Sequence, residues 1–176
     1  MSSPNTREIW LMRTELTQPF NESVPAEFTW HTFTVGKDDA EFLAANADAF
    51  AGHPEQGLWE QADLTQRINE PWFVPEDFYL LRDSENKVAG FVWLKIHIER
   101  MVPDAEIYLI GLIQKHQLKG LGKALLAHGL NEIYKKGFNE AIIYVDAPNA
   151  VALNLYQKHG FKQISTQIVP IAKKRD

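Results

Sequence analysis

Apolar and polar positions change period several times along this chain. From Phe28 to Val35 they alternate as in a half-buried strand, Gly36 closes the run, and Asp38/Asp39 open a helix expected to reach about Phe50, with Phe42, Leu43, Ala47 and Phe50 as its inner stripe. Gly52-His53-Pro54-Glu55-Gln56-Gly57 is rich in turn formers, and the helical run Leu58 to Asn69 stops at Pro71. Phe78 to Leu81 and Lys87 to Ile98 read as a hairpin across Asp83-Ser84-Glu85-Asn86. After a loop containing Pro103 comes a strand, Glu106 to Ile113, and then a helical run, Ala124 to Tyr134. A strand ending at Tyr144-Val145-Asp146 leads to Asn149, a strong N-cap, and a helix over Ala150 to Tyr156 that Gly160 would end before a final strand. The order is strand, two helices, three strands, helix, strand, helix, strand, a mixed α/β arrangement of layers.

One segment stands outside that series. Ile9 to Leu16 reads as an additional strand, followed by a linker containing Pro19, Asn21 and Pro25. A lone strand is unstable and needs a partner. Residues 1–26 are therefore expected as an N-terminal strand and linker, and 27–176 as the main domain.

Composition narrows the class. A length of 176 residues suffices for one domain with a substantial core and is too short for two ordinary ones. A hydrophobic content of 45% is that of a globular chain. The net charge of -5 argues against a nucleic-acid surface. The absence of cysteine excludes disulfides, thiolate catalysis and cysteine-based metal sites. No apolar run has the length of a membrane span, so no membrane partner and a cytoplasmic location are expected.

The chemistry concentrates in Gln117-Leu118-Lys119-Gly120-Leu121-Gly122-Lys123, between an apolar strand and a helix. Two glycines one residue apart let the backbone turn tightly and present its N–H groups, and a helix N-terminus adds unpaired donors and partial positive charge. Lys115, Lys119 and Lys123 lie here, and no Asp or Glu occurs between Ile107 and Asn131. A small anion such as a phosphate or pyrophosphate is the expected ligand. The Walker loop needs Ser or Thr after Gly-Lys, where this chain has Ala124, and the dinucleotide fingerprint needs glycine where it has Leu125.

The remaining pattern, Gln-x-x-Gly-x-Gly, resembles the pyrophosphate loop of the GNAT acyltransferases, and the Tyr144 to Phe161 series is similar to the end of a GNAT domain. A narrower resemblance covers most of the chain from about Leu11. Ala49-Phe50-Ala51-Gly52-His53-Pro54-Glu55-Gln56-Gly57, Glu70-Pro71-Trp72-Phe73, Gly90 to His97 and Tyr144-Val145-Asp146 look like the C-terminal domain of the mycothiol synthases, two-domain acetyltransferases. The GNAT fold, a central mixed sheet flanked by helices, follows from that resemblance.

The resemblance implies acetyl-CoA as co-substrate, without a metal. Ile110, Gly111 and Leu112 would lie beside it, with the Leu112 N–H polarising the thioester carbonyl. Residues Gln117, Leu118, Lys119, Gly120, Leu121, Gly122 and Lys123 would hold the pyrophosphate, and Asn149, Ala150, Val151, Ala152, Leu153 and Asn154 the pantetheine arm. Glu106 would be the general base, Tyr156 the general acid, and Lys95 and Tyr144 substrate contacts. His53 and His97 are expected to be structural. Gln114 stands where proline is common, and Leu118 where glycine is common, with little effect expected.

The acceptor implied is the cysteinyl amine of a cysteine-glucosamine-inositol thiol; another small-molecule or peptide amine, or acyl-CoA binding without catalysis, stays open. An α-amine with a pKa near 8 is neutral far more readily than a lysine near 10.4, which leans the expectation toward a weakly basic amine. A monomer or homodimer is expected.

Overall fold

The computed structural model describes residues 5–172. The chain starts with strand β1 (Thr6–Glu15) and a short β2 (Thr29–Thr32), followed by helices α1 (Asp39–Ala49) and α2 (Gln61–Ile68). Three antiparallel strands come next, β3 (Phe78–Arg82), β4 (Val88–His97) and β5 (Asp104–Leu112). Helix α3 (Leu121–Lys135), strand β6 (Glu140–Asp146), helix α4 (Ala150–Lys158) and strand β7 (Lys162–Pro170) complete the series. All seven strands form one sheet in the order β2-β3-β4-β5-β6-β1-β7. Apart from β1, this is the expected element order and the expected mixed α/β fold.

The sheet is covered on both faces, which is why the run Val88 to Leu94 of β4 is buried at every position. On one face α3 packs Leu125, Leu126, Leu130 and Ile133 against Val92, Leu94, Ile107 and Ile143. Its Gly129 allows the close approach, because a Cβ there would lie 2.8 Å from both Ile107 and Val92. On the other face Phe42 of α1 and Leu64 of α2 meet Phe78, Phe91 and Trp93. Phe42 makes edge contacts with Phe33, Phe78, Phe91 and Trp93 at centroid distances of 4.9–6.2 Å.

Details differ from the sequence-based expectation. The stripe of α1 runs through Phe42, Ala45 and Asn46, with Ala47 exposed. Asn46 is buried because its amide closes the following loop, donating to Gln56 O at 2.6 Å and accepting from Gln56 Nε2 at 3.3 Å. Asp38 precedes α1 with its carboxylate turned away from the helix, accepting from Thr34 N and pairing with Arg82. The first expected strand, 28–35, is regular over only four residues.

The N-terminal strand lies inside the sheet. It pairs antiparallel with β6 from Ile9↔Asp146 to Glu15↔Glu140, and with β7 on its other side. Met12 is 1% exposed within the α3-side core, and Leu16 is buried beside it. The linker also packs: Phe20, Val24 and Phe28 lie on that core, and Phe20 exchanges two hydrogen bonds with the Asn131 side chain at 2.8 and 3.0 Å.

Truncating a fully buried side chain in a core removes apolar contact and leaves a cavity. Met12→Ala is therefore expected to lower unfolding stability by about 3 kcal/mol in urea titration, whereas an outlying linker strand would lose less than about 0.5 kcal/mol.

Candidate active site

Strands β5 and β6 run parallel, and only two pairs hold them in register, Glu106↔Ile142 and Ile107↔Ile143. Beyond these, β5 stays paired with β4 as far as Leu112, and β6 stays paired with β1 as far as Asp146. Between their C-terminal halves lies a cavity of about 290 Å³, lined among others by Glu106, Ile110, Tyr144, Asp146, Asn149 and Tyr156. The register of β5 against β4 shifts at Trp93/Leu94, leaving Tyr108 as the extra residue of a bulge. A bulge re-aims the side chains on either side of it. Here Tyr108 and Leu109, adjacent in sequence, both pack with the α1/α2-side core.

The divergence leaves polar backbone facing the gap. Ile113 N donates to Ala89 O, so the alternation of an antiparallel ladder turns Gly111 toward β4 and the N–H groups of Ile110 and Leu112 toward the gap. Leu112 O on that side accepts from Gln117 Nε2 at 2.8 Å. Gln117 thus uses its side chain as a brace at the end of β5. Gly111 is needed for packing, since a Cβ there would lie 2.7 Å from the Phe91 ring.

The glycine loop forms the helix entry that the sequence predicts. Gly120 is the N-cap of α3 at φ +81, in the left-handed region that glycine adopts without penalty. The N–H groups of Leu121, Gly122 and Lys123 begin the helix and have no intrahelical acceptor by its geometry. A Cβ on Gly122 would meet only Leu155, at an ordinary 3.4 Å, so the fold itself does not demand glycine there. Leu118 sits at φ +58 with its side chain 88% exposed. Left-handed backbone costs a residue with a Cβ about 1–2 kcal/mol, so leucine in place of glycine has a larger effect here than the sequence alone suggests.

Glu106 is the buried carboxyl of the site, 9% exposed. Loss of hydration pushes its pKa up to about 7, with Lys95 opposing the rise and Asp104 adding to it. Lys95 is the cross-strand partner of Glu106, and its Nζ lies 4.8 Å from the Trp72 ring centroid and 5.3 Å from that of Tyr108. Tyr144 is 41% exposed and lines the cavity. Tyr156 faces the cavity from α4, and burial raises its hydroxyl well above the ordinary range. Asn149 uses its Oδ1 to cap α4, accepting from Ala152 N at 3.2 Å. Val151 and Asn154 are exposed, and Ala152 and Leu153 are partly buried.

The same cavity contains groups that the sequence pattern places elsewhere. His53, expected as a turn residue, lies in its wall with Arg7, Phe50 and Gln56. His53 Nε2 lies 2.6 Å from Asp146 Oδ2, and Arg7 Nε lies 2.9 Å from Asp146 Oδ1. These two partners hold the Asp146 carboxyl below the usual carboxylate range, the His53 hydrogen bond contributing most. The signal was present in the His-Pro-Glu-Gln-Gly string and in the strand nature of Thr6–Glu15. What sequence could not supply was their meeting at the end of β6. Among the described residues, no group of three or more His, Asp or Glu is placed to hold a metal ion, and no helix is long and apolar enough to cross a membrane.

Comparison with known proteins agrees with this geometry. The model of the acetyltransferase (GNAT) family matches residues 40–161. The mycothiol acetyltransferase of Streptomyces scabiei is 42% identical over 165 residues, covering 93% of this chain and 53% of its own length. A mycothiol acetyltransferase from Thermobispora bispora is 36% identical, with 93% and 56% covered. The chain thus spans about half the length of the curated relatives it matches. Among solved structures, a GCN5-related N-acetyltransferase from Sphaerobacter thermophilus superposes with a TM-score of 0.72 at 22% identity, over 98% of this chain and 54% of its own. The chain belongs to the acetyltransferase (GNAT) family.

Proposed function

We propose that this chain is an N-acetyltransferase that moves the acetyl group of acetyl-CoA to the amine of a small molecule. The observation that carries this reading is the opened β5–β6 pair, which places free amides, a buried carboxyl of raised pKa and a tyrosine around one cavity. The glycine loop and the first turn of α3 take the pyrophosphate through their unpaired N–H groups, with Lys119 and Lys123 adding charge at the rim. The pantetheine arm runs between β5 and β6 beside residues Asn149 to Asn154. The Leu112 N–H, fixed by the ladder and braced by Gln117, polarises the thioester carbonyl, a contribution of roughly 3 kcal/mol by analogy with other oxyanion donors.

The amine nitrogen attacks the thioester carbon, the C–S bond breaks, Glu106 accepts the amine proton, and Tyr156 donates its proton to the departing thiolate. Burial keeps Tyr156 neutral beforehand, and a thiolate released beside its buried hydroxyl is raised by the same loss of hydration. The position of Glu106 also bears on the acceptor. An ordinary carboxyl lies about 3.5 pH units below an α-amine, but at about 7 the gap narrows to roughly 1, easing proton transfer by about 3 kcal/mol. A lysine side chain remains about 3.4 units away. An α-amine is therefore the acceptor class, and the cysteinyl amine of a cysteine-glucosamine-inositol thiol is its first candidate, by analogy with the named relatives.

Release of free CoA thiol from acetyl-CoA in the presence of that amine, with mass detection of the acetylated product, tests the reading. A folded chain that binds acetyl-CoA yet acetylates neither this amine nor a panel of α-amines would contradict it.

Glu106 acts as a base only when ionised, so kcat/KM is expected to rise with pH through about 7, and Glu106→Gln to lose that limb. Lys95→Met removes the cation that opposes the rise and moves the limb to higher pH; Asp104→Asn moves it lower. The same burial has a cost in stability. The folded-state pKa lies above the ordinary 4.5, so stability falls as pH rises from about 4.5 through about 7 and then levels. Glu106→Gln is expected to unfold at higher denaturant than wild type at pH 8 and to match it near pH 4. Tyr156→Phe is expected to lower kcat about 100-fold while leaving the acetyl-CoA dissociation constant within about twofold, measured by single-turnover kinetics and calorimetry.

A further inference from the structure

We propose that Arg7, His53 and Asp146 form a clamp that positions the loop after α1 along one wall of the cavity and so shapes the entry of the acceptor amine, with the N-terminal strand as one of its jaws. This rests on the acetyltransferase reading. The three residues come from distant parts of the chain: the start of β1, the turn after α1 and the last residue of β6. Both oxygens of Asp146 are engaged, Oδ1 by Arg7 Nε at 2.9 Å and Oδ2 by His53 Nε2 at 2.6 Å, with Arg7 Nη2 3.5 Å from Oδ2.

The other nitrogen of His53 fixes its tautomer. Nδ1 accepts from Glu55 N at 3.1 Å and Gln56 N at 2.8 Å, so the ring carries its proton on Nε2 and donates it to Asp146. His53 thereby ties the loop's own backbone to the end of β6. Arg7 also reaches that loop directly, through an ion pair with Glu55, whose Oε1 accepts from Ala172 N at 2.9 Å. The Asp146 backbone carbonyl accepts from Asn149 N, so the knot adjoins the turn that starts α4. Side chains of the clamp line both the central cavity and a neighbouring one of about 570 Å³ that contains Leu58, Trp59 and Arg67.

The clamp predicts which half of His53 matters. His53→Asn keeps an acceptor near the Nδ1 position for the loop amides and loses the link to Asp146; His53→Gln reaches Asp146 and loses the loop acceptor. A role confined to the loop makes His53→Gln the more harmful change. The clamp makes His53→Asn the more harmful one. With the cysteinyl amine as acceptor, His53→Asn and Arg7→Met are expected to raise acceptor KM about tenfold or more, with acetyl-CoA KM within about twofold, and Arg7→Lys to recover part of the loss. Because both act through one carboxylate, the double variant should fall well short of the product of the single effects.

Hydrogen exchange needs no acceptor and probes the clamp independently of turnover. The Glu55 and Gln56 amides should exchange about tenfold faster in Arg7→Met and Asp146→Asn, although neither substituted side chain accepts from those amides. Unchanged exchange, the opposite ranking of the two His53 variants, or equal changes in both KM values would overturn the clamp. If the wild-type chain acetylates no amine, the functional reading falls, and the clamp is decided by exchange alone.

Discussion

The structure turns on a ladder left unfinished. A buried peptide group without a partner is costly, so strands at the centre of a sheet normally pair along their whole length. Here β5 has β4 on one side throughout, yet keeps β6 on the other for only two residue pairs. The gap that results is both a defect in the sheet and a place where main-chain donors of β5 face a cavity. The rest of the molecule holds the two strands apart without unfolding either: α3 packs closely at Gly129, the Phe91 ring lies against Gly111, and Gln117 closes the last carbonyl of β5.

Holding β6 away from β5 requires that β6 be secured elsewhere, and β1 does this. Seven residue pairs, from Ile9↔Asp146 to Glu15↔Glu140, bind it to the free edge of β6, and β7 then covers β1. The N-terminal strand therefore stabilises the open side of the site as well as contributing Arg7 to its wall. The chemistry follows from the same enclosure. The burial that raises the pKa of Glu106 to about 7 also keeps Tyr156 protonated, so one cavity holds a carboxyl that titrates near pH 7 and a phenol that retains its proton, the pair that the proposed mechanism uses as base and acid.

Much of this was legible in the residues. Residue pattern located the α-helices and strands of the described residues, most of them by an apolar face, while the short 3-10 turns such as Gln56–Leu58 went unforeseen and β2 kept only four residues of its expected run. Ala47 fell on the exposed side of α1 because Asn46, a polar residue, takes the buried place and directs its amide to the Gln56 backbone. The glycine loop was readable because Gly120 needs a left-handed conformation. The strand Ile9 to Leu16 was visible as a strand, but its partners are more than 120 residues away, and nothing in local pattern says where a seventh strand inserts. For the same reason His53 read as a turn residue: its meaning lies in Asp146, 93 positions later. The tightening of Leu118 into positive φ also escaped, since its cost exists only once the loop is built.

The central claim is that the amides freed by the β5–β6 divergence are the coenzyme's binding surface. Backbone NMR of the folded chain titrated with acetyl-CoA tests it most directly. The account predicts that the Ile110 and Leu112 amides and those from Leu121 to Lys123 shift together and exchange more slowly at saturation. Saturable binding that leaves these resonances unmoved, with changes confined to another face of the sheet, would contradict it.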